Sequence, residues 1–188
     1  SDVAAAQMME VVRSCGSGEN LELLLKKLLT VDGTDAKQHQ GKEAERQKRA
    51  AQNQKYCTVL VDSLFELLIT TEETKSKRGN RAGKDLAAIL QTIAVFSHLS
   101  TASVMRHFDT IVPYFKADNA ERSEDEAAIV GAVCDSVARL STNLSDNDLR
   151  KLAAGSVAQD IVKIMYRFGS STLSSAVEAL SSLAQNPE

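Results

Sequence analysis

Apolar residues recur along this chain at helical spacing. Leu21, Leu24, Leu25 and Leu28 stand at i, i+3, i+4 and i+7, which puts four leucines on one helix face. Lys26 and Lys27 fall in the last turn of that helix, where cations meet the negative end of its dipole, and the segment TVDG (30–33) ends it. The next stripe is Tyr56, Leu60, Leu64, Leu67 and Leu68, then Leu86, Ile89, Ile93 and Phe96, then Val104, Phe108, Ile111 and Phe115. Val130, Val133, Val137 and Leu140 follow, then Ile161, Ile164, Met165 and Phe168, and finally Leu173, Val177, Leu180 and Leu183. No stretch alternates convincingly at period two, so the pattern predicts an all-α chain without a sheet.

Helix ends are marked by residues suited to them. Ser123 with Glu126 and Ser145 with Asp148 have capping-box spacing or its acidic near-equivalent. Gly169 after Phe168 suits the left-handed residue that closes a helix. Pro113 lies within the last turns of its helix and is expected to kink or loosen it, and Gly155 splits 146–168 into one bent helix or two short ones. Helix starts near 83, 124 and 171 are about forty or more residues apart, each of the first two followed by a partner helix, and HEAT-type helix pairs repeat at about 40–47 residues. Such pairs cannot bury their apolar faces alone, so neighbours stack. The expected fold is a HEAT-like α-solenoid of antiparallel helix pairs, with 1–188 a single segment of it. The last helix carries serines where a finished surface carries charge, which predicts a fragment of a longer solenoid.

Two segments interrupt the period. Residues 35–55 are almost free of large apolar side chains yet helix-prone, and are expected to form a polar extension, either projecting as the first half of one long helix with 56–70 or disordered. Residues 71–84 are expected to form a basic loop.

Composition narrows the function classes. Of 188 residues, 43% are hydrophobic and 25% charged, enough apolar content for one sizeable core. Two prolines and nine glycines leave few turns. A net charge of −3 makes the whole molecule no attractant for nucleic acid or anionic membrane, so only a local patch could do that work. Cys15, Cys57 and Cys134 are odd in number and lack CxxC spacing, which argues against a disulfide framework or zinc site and for a reducing compartment. No apolar stretch is long enough to span a bilayer, and SDVAAAQMMEVV at the amino end lacks the basic start and cleavage site of a signal peptide.

Candidate chemistry is sparse. His39, His98 and His107 have no i+4 histidine or nearby cysteine, and capping or half-burial is the expected role of the last two. CGSGEN (15–20) lacks the lysine and serine of a phosphate loop and reads as an inter-helix turn. No glycine-flanked nucleophile serine occurs, and Glu72/Glu73 and Glu124/Asp125/Glu126 fall in expected loops or first turns. No cofactor, metal or small-molecule substrate is implied, and the chain is not expected to be an enzyme. Of two basic stretches the stronger is KSKRGNRAGK (75–84), where Lys75, Lys77, Arg78, Arg81 and Lys84 stand with no acid among them and glycines lend flexibility. Such a loop can follow a phosphate backbone, and without aromatic residues its binding would be sequence-neutral and duplex-tolerant; the competing reading is a solvated loop with no ligand. A second stretch, Lys42, Arg46, Lys48, Arg49 and Lys55, is diluted by Glu43 and Glu45.

The second half of the chain carries a resemblance. LAAILQTIAVFSHLSTASVMRHFDTIVPYF, AAIVGAVCDSVARL and AQDIVKIMYRFGSSTLSSAVEALSSLA, within 86–184, resemble the HEAT-repeat body of the Nipped-B-type cohesin loaders. HFDTIVPYF and DIVKIMYRFG are the most specific parts; the rest is apolar pattern that HEAT proteins share. The resemblance implies a nuclear, chromatin-associated, hook-shaped scaffold without a catalytic site, which engages cohesin subunits and duplex DNA and stimulates the cohesin ATPase heads. Pro113, Tyr114, Phe168 and Gly169 are the family-like positions, with packing and turn roles; the basic loop lies outside the match. A generic HEAT or armadillo adaptor that binds protein partners and no DNA is the alternative.

Overall fold

The computed structural model describes residues 42–75, 81–116, 123–169 and 172–184, and all the regular structure among them is helical. The expected leucine helix at 21–28, the turn at 15–20, Cys15 and His39 lie outside the described residues.

Helix α1 runs from Lys42 to Glu73 without interruption. The polar half expected either to project or to be disordered is therefore, from residue 42, one helix with the apolar half. No glycine or proline breaks it, and alanine, glutamine, glutamate, lysine and arginine at its start are strong helix formers. Ala51, Gln54 and Lys55 are exposed, and burial begins at Cys57. From there the covered face is Cys57, Val61, Leu64, Phe65 and Leu68, with Leu67 beside it. The expected stripe is corrected at Leu60, which is 39% exposed: Phe65, buried completely, pulls Val61 and Cys57 inward at i−4 and i−8.

Helix α2, Arg81–Leu99, and helix α5, Glu124–Ser141, form the centre. Between them the chain makes α3 (Thr101–Arg106), α4 (Phe108–Ile111) and a 3₁₀ turn (Val112–Phe115). After α5 come α6 (Asp146–Ala154), α7 (Val157–Phe168) and α8 (Leu173–Ala184). Helix α1 packs on α2 and α3, α2 on α5, and α5 on α8, while α7 lies against α8 and the 3₁₀ turn. Leu86, Ile89, Ile93 and Phe96 of α2 are buried as their spacing predicts, and so are Val130, Val133, Val137 and Leu140 of α5. Both helices also bury residues off those stripes, including Ala87, Val95, Ala132 and Ala138, because they have neighbours on more than one side. Buried hydroxyls in these helices bond back to the preceding turn: Thr92 Oγ1 to the Ala88 carbonyl at 2.8 Å, Ser97 Oγ to Ile93 at 3.1 Å, Ser136 Oγ to Ala132 at 2.9 Å.

The two expected caps form. Ser123 Oγ accepts from the Glu126 amide at 3.1 Å and Ser145 Oγ from the Asp148 amide at 3.3 Å. Gly155 separates α6 from α7, and Gly169 ends α7 with φ of +60°, a conformation costly for any residue with a Cβ.

Two expectations are corrected. The segment 101–115 is not one helix, because it breaks at His107; its last turns do loosen at Pro113 as expected, passing into a 3₁₀ turn that starts at Val112. His107 Nε2 lies 2.8 Å from Asp62 Oδ1 on α1, and its ring stacks on Phe65 with centroids 4.8 Å apart, so tertiary contacts hold the break. Val104, Phe108, Ile111 and Phe115 stay buried through it, with the Phe108 and Phe115 rings 6.5 Å apart. In α8 the expected stripe holds at Leu180 and Leu183 but not at Leu173 and Val177. Ala176, Ala179 and Leu183 are covered, whereas Leu173 and Val177 are 42% and 45% exposed. Small alanines let α8 approach α5 closely, and that approach sets its rotation.

Removing the buried Phe108 ring leaves a cavity the broken helix cannot close, so Phe108→Ala is expected to cost about 3–5 kcal/mol in urea unfolding. Val177→Ser, on the open side of α8, is expected to stay within about 0.5 kcal/mol of the parent. Equal losses at the two positions would reject this register.

Candidate functional site

The five basic residues that sequence singles out do not form one flexible loop. Helix α1 reaches Glu73 and α2 begins at Arg81, so Arg81 and Lys84 are helical and Gly83 is a helix residue rather than a hinge. Lys75 and Lys84 are exposed; Lys77 and Arg78 lie outside the described residues. The stretch has no acid in sequence, yet the fold brings acids to it. Lys75 Nζ donates to Glu72 Oε1 at 3.3 Å. Gly83 packs closely on α5, where a Cβ would lie 2.8 Å from Asp125 Oδ2 and 3.1 Å from the Asp125 Cβ, so the fold sets a carboxylate beside Gly83 in α2's first turn. The second basic stretch, 42–55, lies along α1, where Lys55 is exposed.

Lys75 stands on the wall of a recess of about 490 Å³ between the end of α1, the 3₁₀ turn and the start of α5. Leu68, Ile69, Pro113, Tyr114, Ile129 and Val130 give it an apolar lining, and Glu72, Glu73, Glu126 and Lys116 its charge. The Tyr114 hydroxyl donates to Glu72 Oε2 at 3.3 Å. Burial, then the Glu72 charge and hydrogen bond, push the phenol far above its ordinary range, so it stays protonated as a donor.

A second recess, of about 410 Å³, opens on the other side of the 3₁₀ turn. Lys116, Lys163 and Arg167 line it with Phe115, Ile164, Ser156 and Asp160. Lys116 borders both recesses, and the Glu126–Arg167 ion pair, at 3.5 Å, joins one to the other. Asp160 is buried, with its side chain 6% exposed, and Lys163 donates to its Oδ1 at 2.8 Å. That bond holds the carboxyl below its ordinary range against the opposing effect of burial, with the Ser156 hydroxyl and the Lys116 charge adding. Asp160 Oδ2 is buried and meets no hydrogen-bond partner.

This second cluster escapes a linear reading. Asp160, Lys163 and Arg167 share a helix face at spacings of three and four, a signal visible in sequence, but Lys116 joins them only because the 3₁₀ turn packs on α7.

Nucleophile chemistry has little support at the described thiols. Burial, with Asp135 adding, pushes Cys134 up to about 12, and burial raises Cys57. His107 is half-buried and engaged with Asp62 as described, and His98 stands in the last turn of α2. Among the described residues no group of three or more histidines, cysteines or carboxylates could hold a metal ion, and no helix is long and apolar enough to cross a membrane. Compared with protein-family models, curated proteins and solved structures, the chain matches none.

Because the folded Asp160 pKa is lowered, its contribution to stability is present above the ordinary carboxylate value of 3.8 and is lost as pH falls through the folded value. Lys163→Met is therefore expected to lower stability by about 1 kcal/mol at neutral pH. The gap from the parent should close in acid, in paired urea titrations. A gap of equal size at both pH values would remove the Lys163–Asp160 bond as its cause.

Proposed function

We propose that this chain is a helical-repeat scaffold segment of a Nipped-B-type cohesin loader, nuclear and chromatin-associated. It presents stacked helices to cohesin subunits and duplex DNA and has no catalytic site of its own. In this reading it helps place the cohesin ring on DNA and stimulates the ring's ATPase heads. The observation that carries the reading is serial packing: α2 on α5 and α5 on α8, with the α3-to-3₁₀ segment following α2 and α7 following α5. That order supports a HEAT-like solenoid, since it follows the segments that carry the resemblance and lies in the same part of the chain. Two helices buried on more than one side suit a stack that distributes its core along one direction.

DNA contact rests on the charge of Lys75, Lys77, Arg78, Arg81 and Lys84. The partial neutralisation of this stretch by Glu72 and Asp125 favours a second reading, an adaptor that binds protein partners without DNA. Both recesses combine apolar lining with charge, which suits side chains of a partner.

The two readings separate in fluorescence anisotropy of a labelled DNA duplex titrated with the chain at two salt concentrations. The loader reading expects binding that weakens with salt and is lost when the five cations become alanine, the salt slope falling by about one for each phosphate contact removed. Absence of binding at low salt, or binding that the variant retains, would remove DNA contact from this stretch and leave the adaptor.

A further inference from the structure

The recess between the 3₁₀ turn and α7 has a composition that the scaffold reading does not use. Three cations reach it, Lys116 from the turn and Lys163 and Arg167 from α7, against one lining carboxylate, Asp160. Lys163 is bound to that carboxylate yet its side chain remains 75% exposed, and Lys116 is exposed as well. Arg167 is held in place from behind: its Nη2 lies 3.5 Å from Glu126 Oε1, and its guanidinium carbon 5.5 Å from the Phe168 ring centroid. Ser156, at the start of α7, adds the positive end of a helix dipole.

A second feature points to what belongs there. Asp160 is buried, and while Lys163 satisfies Oδ1 and the Ser156 hydroxyl helps hold the charge, Oδ2 makes no hydrogen bond of good geometry. A buried carboxylate oxygen without a partner is costly, so an occupant that supplies an N–H recovers that cost. Phe115 and Ile164 complete the lining with apolar surface.

We propose that this recess binds an acidic peptide segment of a protein partner. Its carboxylates meet Lys116, Lys163 and Arg167, one of its main-chain amides donates to Asp160 Oδ2, and an apolar side chain packs on Phe115 and Ile164. A nucleic-acid backbone fits less well. Phosphates carry no N–H for Asp160, and a concavity of about 410 Å³ holds a few side chains rather than a duplex. The site lies away from the basic stretch at 75–84 and does not depend on whether that stretch touches DNA.

The test uses the full chain and three labelled probes in anisotropy: a short peptide alternating glutamate with leucine, its glutamine counterpart, and a DNA duplex. The glutamate peptide is expected to bind in a salt-sensitive manner and its glutamine counterpart to bind at least about tenfold more weakly. Lys116→Gln alone, at an exposed position, should weaken the glutamate peptide several-fold, and Lys116→Gln with Lys163→Gln about tenfold. Glutamine at 163 keeps a donor for Asp160 Oδ1, and melting curves confirm that both variants fold. The same peptide with N-methylated amides should bind about tenfold more weakly, because the donor to Asp160 is gone. Equal binding by parent and variants, or by methylated and unmethylated peptides, would overturn the proposal. So would a duplex that depends on Lys116 and Lys163 while the glutamate peptide does not bind.

Discussion

Helices α2 and α5 are too apolar to stand with a single neighbour, and the remaining structure follows from covering them. Leu86, Ile89, Leu90 and Ile93 are completely buried on one face of α2 while Ala87, Ala94 and Val95 are buried on others, and in α5 the buried face of Val130, Val133, Cys134, Val137 and Leu140 is joined by Ala132 and Ala138 off it. A helix with apolar groups around most of its circumference needs partners on opposite sides. Packing α2 on α5 satisfies one side of each; α1 covers the outer side of α2, and α8 the outer side of α5. Each fully buried Leu, Ile, Val or Phe contributes about 1.5–3 kcal/mol, so the series is held by many equivalent contacts rather than by one anchor. Exposed Leu173 and Val177 show where the covering stops among the described residues.

The break at His107 turns this packing into a surface with recesses. One continuous helix through 101–115 would carry Tyr114, Phe115 and Lys116 straight on. Instead Asp62 and Phe65 hold the imidazole against α1, the chain restarts at Phe108, and from Val112 it forms a 3₁₀ turn with Pro113 second in it. The turn then wedges between α1, α5 and α7, with Tyr114 facing the recess toward α1 and Phe115 the recess toward α7. Pro113 cannot donate a helical hydrogen bond, which suits a tight terminal turn better than a helix interior.

Electrostatics is redistributed by the same contacts. The basic stretch at 75–84 looks concentrated in sequence, yet Glu72 binds Lys75 and α5 brings Asp125 to Gly83. Around the second recess the reverse happens. Three cations, none conspicuous in sequence, are gathered about a buried Asp160 by the contact of the 3₁₀ turn with α7. The packed helices thus present mixed apolar and charged concavities more readily than one cationic strip.

Local chemistry determined much of this protein by sequence alone. Helical class, the stripes at 86–96, 104–115 and 130–140, the caps at Ser123 and Ser145, and the stop at Gly169 follow from side-chain spacing and backbone hydrogen bonding within a few residues. Tertiary structure decided what depends on a neighbour. It chose Val61 over Leu60 on α1 and alanines over Leu173 and Val177 on α8, because the burying surface sets a helix's rotation when several of its faces are apolar. It placed the break at His107, whose partners Asp62 and Phe65 lie on another helix. It also assembled the cationic recess, since Lys116 reaches Asp160, Lys163 and Arg167 across space and no spacing along the chain encodes that approach.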